Sequence, residues 1–129
     1  MVDITPPLSE ERQLIQSYGD GGFRIAGQDH VGSVLIEPEI THGWSVSDAT
    51  AIDLASLSLL TDNCRDDQPG GGVLLIGTGT TIVMLDPALR VALRRFGLGL
   101  EIMDTGAACR TFNVLLAEER SVIAALIAV

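Results

Sequence analysis

The run Val73-Leu74-Leu75-Ile76, set between a Gly-rich loop ending at Gly72 and the corner Gly77-Thr78-Gly79, constrains this chain more than any other feature. A strand that is apolar on both alternations must be covered on both faces, as a central strand between two layers is. The residues that follow supply a cover. Asp86 with Pro87 predicts a helix start, Leu89, Leu93 and Phe96 share one stripe, and Gly97 is the stop. Leu100 to Asp104 predicts a second strand. Thr105 is then the expected cap of a long last helix, in which Ala108, Phe112, Leu115, Leu116, Val122, Ile123, Leu126 and Ile127 recur every three or four residues. Strand, helix, strand and helix in this order imply parallel neighbours joined by crossovers.

The first third has a different rhythm. Leu14, Ile15 and Tyr18 predict a short strand ending at Gly19-Asp20-Gly21-Gly22. Phe23 and Ile25 alternate with polar neighbours, and Val31 to Ile36 is rich in β-branched residues. With Gly27-Gln28-Asp29 as the turn, these segments predict a hairpin. Ile40 to Val46 continues as extended chain, with Trp44 in the core or at an interface. Ser47 or Asp48 is placed to cap a helix of two to three turns with Ile52, Ala55 and Leu59 on one face, and the polar stretch Asp62 to Gly72 reads as a solvated loop. Residues 1–11 read as a loosely ordered arm and residues 12–129 as a single domain, with no repeat or linker to divide them. The expected class is α/β with three layers: a central mixed sheet, an N-terminal antiparallel hairpin and about three helices. At this length one core suffices, and folding buries roughly two-thirds of the unfolded chain's surface.

Charge narrows the partners. The formal net charge is −9, with no Lys and only eight Arg, whereas phosphate backbones are gripped by clustered basic residues. Nucleic acid is therefore not expected. The start of the chain lacks the basic and apolar regions of a secretory signal, and Glu10-Glu11 does not suit an organelle presequence. Val122 to Val129, the longest apolar stretch, falls far short of the ~20 residues of a spanning helix. These features read as a cytoplasmic chain with free thiols at Cys64 and Cys109. The apolar end of the last helix reads either as core or as a surface for a homodimer or a protein partner.

One candidate site emerges. Open α/β sheets hold ligands outside the carboxyl ends of their strands, which singles out Gly77, Thr78, Gly79 and Thr80. A helix N-terminus offers unpaired N–H groups to an anion, which adds Thr105, Arg110, Thr111 and Asn113. Should the two strands be neighbours, both groups share one rim and could hold a small anion or a partner's carboxylate. The bland reading of the same residues is a tight turn, a helix cap and side chains that satisfy loop backbone. The pattern lacks the third glycine of a dinucleotide fingerprint and the Gly-Lys-Ser/Thr of a phosphate loop. Cys109 has no adjacent base and reads as a small buried apolar residue. His30 and His42 have no metal-ligand spacing, so neither a metal nor a cofactor is expected.

Gly22-Phe23, the strand Gly32-Ser33-Val34-Leu35-Ile36 with Pro38 and Trp44, Leu74 to Gly79, and the block from Met103 to Asn113 (MDTGAACRTFN) leading into Leu115, Leu116, Glu118, Arg120 and Val122 occur in a telling order. Together they resemble the small uncharacterised-domain family that includes mitochondrial respiratory complex I assembly factor 3 and the adipogenesis-associated domain protein of animals, with many bacterial members. The resemblance runs from about residue 12 to the end. It implies a three-layer α/β fold and, for the mitochondrial branch, a role in assembling membrane respiratory complexes. Without a presequence, this chain is expected to be a bacterial, cytoplasmic member. Its expected function is that of a non-catalytic interaction or assembly module whose partners are proteins, membrane-complex subunits among them. The alternative is an anionic-ligand binder or an enzyme that uses the rim.

Overall fold

The computed structural model describes residues 1–4, 13–62 and 72–129. Cys64 and most of the expected 62–72 loop lie outside the described residues, as do residues 5–12 of the expected arm. The strands are β1 (Val2–Asp3), β2 (Ile15–Gly19), β3 (Gly22–Ile25), β4 (Gln28–Val31), β5 (Val34–Ile36), β6 (Thr41–Gly43), β7 (Gly72–Gly77), β8 (Leu98–Met103) and β9 (Val122–Leu126). The helices are α1 (Ser58–Asp62), α2 (Pro87–Arg94) and α3 (Thr105–Ala117).

An antiparallel sheet in the order β1-β2-β3-β4 stands against a mixed sheet in the order β6-β5-β9-β7-β8. Within the mixed sheet β7 is parallel to β8 and β9, while β5 is antiparallel to β9 and β6. The chain is thus α/β with a central mixed sheet, as its strand patterns imply. Leu75, Ala124 and Leu126 face one layer, made of α3 and the four-stranded sheet with Phe23, Ile25, Phe112 and Leu116. Leu74, Ile76, Ala125 and Ile127 face the other, built around Trp44, Leu57, Leu60, Leu89 and Leu93. Coverage on both faces explains why β7 carries no polar alternation.

Four local expectations are corrected. The stretch Val31 to Ile36 is not one hairpin strand: β4 ends at Val31, Gly32 turns with φ +86°, and β5 joins the other sheet. That positive φ is natural for glycine. The segment after Ser47 is not one continuous helix. Asp48 caps a 3-10 turn at Ala49–Ala51, and a second such turn at Ala55–Leu57 precedes α1. Between them Asp53 accepts from the Ser56 N–H at 2.8 Å, and the Ser56 hydroxyl donates to the Asp53 carbonyl at 2.7 Å. Such local bonds compete with the helical ladder.

The third correction is the largest. The last helix stops at Ala117, and Val122 onward is the central strand β9, paired on both sides. Glu119 takes φ +58°, and the N–H groups of Glu119 and Arg120 donate to the carbonyls of Leu116 and Leu115, closing the helix in a Schellman motif. Val122, Ala124, Ala125 and Leu126 are buried by the fold itself, so the dimer surface expected there loses its basis. Fourth, the second strand of the expected pair is Leu98–Met103, and Asp104 has left it to cap α3. Near the other terminus, Val2–Asp3 pair with Tyr18 and Ser17 of β2.

Candidate functional site

Because β7 and β8 are parallel, with Gly77 opposite Met103, their carboxyl ends reach the same rim. The Gly77–Gly79 corner therefore meets the start of α3. A Cβ on Gly77 would stand 2.9 Å from both Cα and Oγ1 of Thr105 and 3.0 Å from Leu126 Cδ2. Only the missing side chain lets β7, β9 and α3 close there.

Backbone groups occupy most of the expected ligand residues. Thr105 is fully buried; its hydroxyl donates to the Ile127 carbonyl at 2.8 Å and accepts from the Gly79 N–H at 3.0 Å. Its own N–H donates to the Gly79 carbonyl at 2.9 Å. Thr78 donates through Oγ1 to the Thr81 carbonyl at 2.8 Å and accepts from the Val83 N–H at 3.0 Å, folding the loop after β7 back on itself. Asn113 is also buried. Its Nδ2 donates to the Ile15 carbonyl at 2.8 Å and its Oδ1 accepts from the Ile15 N–H at 3.0 Å, so one side chain anchors β2 to α3. Thr111 is half-buried on α3.

What remains of the rim is a shallow cleft of about 250 Å³ lined by Tyr18, Gly79, Thr80, Asp104, Gly106, Arg110 and Val129. Thr80 and Arg110 are exposed, and Arg110 Nη1 donates to the Tyr18 hydroxyl at 3.0 Å. Asp104, and not Thr105, is the N-cap of α3: its carboxylate accepts from the Ala107 N–H at 2.9 Å. One guanidinium and one carboxylate thus line the cleft. A protein carboxylate already answers the positive end of the helix. Tyr18 and Asp104 were not singled out as site residues from sequence. Adjacent Asp and Thr are both good caps, so only the buried setting of Thr105 decides between them.

Cys109 is buried, and desolvation, the largest influence, pushes its thiol up to about 12. A thiol so held stays protonated at neutral pH. His42 Nε2 lies 2.8 Å from Glu37 Oε2, and Trp44 is buried with its indole N–H donating to the Ser56 carbonyl at 2.9 Å. Among the described residues no three His, Cys, Asp or Glu side chains cluster as metal ligands would. None of the described helices is long and apolar enough to cross a membrane.

A family described as a protein of unknown function (DUF498/DUF598) matches residues 15–127. The chain belongs to this family. Among its relatives is the NADH dehydrogenase [ubiquinone] 1 alpha subcomplex assembly factor 3 of Xenopus tropicalis, 37% identical over 92% of this chain. The chain spans 63% of that relative's length. A bacterial relative, an uncharacterised protein of Rhodobacter capsulatus, is 41% identical over 88% of this chain and 82% of its own length. Among solved structures, a crystal structure described as an outer membrane protein from Bartonella henselae is 38% identical with a TM-score of 0.75, covering 92% of this chain and 97% of that one. The DUF498/DUF598 fold therefore extends over nearly all of the chain.

Proposed function

We propose that this chain is a non-catalytic interaction module that assists the assembly of a membrane-bound respiratory complex. The observation that carries this reading is its 37% identity, over 92% of its length, to a relative named as a complex I assembly factor. The chemistry of the rim supports it. Thr78, Thr105 and Asn113 are committed to backbone partners, which leaves them unavailable to a substrate. The partners in this reading are proteins, subunits of a membrane complex among them, and the work is done in the cytoplasm of a bacterial cell. Deleting the chain from its source cell tests the role: assembled NADH-oxidising complex on native gels should fall, and an unchanged amount would contradict it. Fractionating the same cells tests the location, with recovery in the outer membrane, as the description of the Bartonella henselae relative implies for that protein, as the contrary result.

A second reading rests on the exposed Arg110, held against Tyr18 beside Gly79 and Thr80. It makes the cleft a site for a small anion, while Gly77, Thr78, Thr105, Thr111 and Asn113 lie outside its lining. Calorimetric titration of the parent and Arg110→Ala with carboxylate and phosphate metabolites distinguishes the two. Heat that disappears in the variant favours the ligand site, and no heat with either protein rejects it.

A further inference from the structure

A groove lies away from the rim. It holds about 510 Å³ between the Ala49–Leu54 stretch and the segment Val83 to Ala92, which runs into α2. Ile52 and Leu89 form its buried floor. Met84 stands at its lip with 75% of its surface exposed, and the neighbouring Ile82 is 56% exposed. Asp53 and Asp86 line it, and among the described residues no basic one does. Each accepts a local backbone N–H, from Ser56 and Ala88 respectively. Among the described residues no cationic side chain pairs with either. Arg90 of α2 donates to the Leu100 carbonyl of β8. Asp48, just outside, is held below the usual carboxylate range by the Thr50 N–H and then the Thr50 hydroxyl.

We propose that this groove docks a basic amphipathic helix of a partner protein, with apolar side chains on Ile52, Leu89 and Met84 and Lys or Arg over Asp53 and Asp86. Three physical points select that occupant. An apolar floor under unneutralised carboxylates complements apolar residues flanked by positive charge. None of the lining residues lies in a strand, so the groove offers no edge for strand addition and suits helix-in-groove binding. The acidic rim repels anionic lipid headgroups, which argues against a membrane surface. Met84 adds an adaptable thioether at the contact. This proposal rests on the assembly reading above and names the partner chemistry it requires.

The probe is a fluorescein-labelled helical peptide of about 18 residues with Leu on one face and Lys on both flanks. A copy with every Lys replaced by Glu is the control. Fluorescence anisotropy with the full chain should give micromolar binding that falls about tenfold with Met84→Glu and with Asp53→Asn/Asp86→Asn, and again in about 0.5 M salt. Asn keeps the oxygen that accepts the local N–H, so folding survives, as circular dichroism will verify. The Glu copy should not bind. Failure of the Lys peptide to bind, equal binding of the Glu copy, or indifference to both groove variants overturns the proposal. The assembly reading is judged separately by the deletion phenotype. A lost complex with a failed peptide result sinks only the groove, and an unaffected complex with a positive peptide result sinks only the assembly role.

Discussion

Replacing Thr105 with Val changes shape very little but removes the hydroxyl that joins the Gly79 N–H to the Ile127 carbonyl. Both partners are buried, so each is left without that bond in a setting water does not reach. An unsatisfied buried polar group costs about 1–3 kcal/mol, so the variant should lose roughly 2–5 kcal/mol. Thr105→Ser keeps the hydroxyl and loses one methyl, worth about 1 kcal/mol. At this size a loss of 1 kcal/mol lowers Tm by roughly 3–5 °C. Calorimetry should therefore place Thr105→Val roughly 6–25 °C below the parent and Thr105→Ser much nearer to it. Urea unfolding supplies the free energies. If Val costs no more than Ser, Thr105 is not the lock described here, and its hydroxyl is free for other use.

Further predictions follow from the same geometry. Gly77→Ala places a Cβ against Thr105 backbone and should destabilise by about 2 kcal/mol or more. Gly99→Ala, whose nearest neighbour is 3.8 Å away, should stay within about 0.5 kcal/mol in the same urea series. Glu119→Gly relieves a left-handed residue at the end of α3 and should raise stability by about 0.5–1 kcal/mol, read as a higher Tm. In a Cys64→Ser background, Cys109 should react with a thiol reagent only on unfolding. Burial holds its folded-state pKa, about 12, above that of the unfolded thiol. Its contribution to stability is thus complete below about pH 8.5 and is lost as pH rises toward 12, by up to about 1.4 kcal/mol per unit. Cys109→Ala should flatten that decline.

The sequence was most readable where residue type and backbone need coincide. The unbroken apolar run of β7, Asp86-Pro87 at the entry to α2, and Gly97 at its exit each specify one local structure. The end of α3 was hidden because Glu119, not glycine, takes the left-handed turn. The apolar residues of β9 also repeat at spacings of three and four, which suit a helix as well as a strand buried on both faces. Pairing with β5 and β7 decides the matter, and pairing is a long-range property. That the Gly77 corner and the start of α3 meet follows from β7 and β8 being parallel neighbours. The commitments of the rim residues were not readable, since Ile15, the Thr81–Val83 loop and Ile127 lie in three different segments. Ile82-Val83-Met84-Leu85 was the overlooked signal: an apolar run assigned to no element, which in the fold borders the groove.

Complementation separates the groove from the rim most directly. Cells lacking the chain would receive the parent, Met84→Glu or Arg110→Ala at matched abundance, with assembled NADH-oxidising complex scored on native gels. Recovery with the parent and Arg110→Ala, and its absence with Met84→Glu, is the expected result. Recovery with Met84→Glu and failure of Arg110→Ala would contradict it and move the working surface to the cleft beside Tyr18.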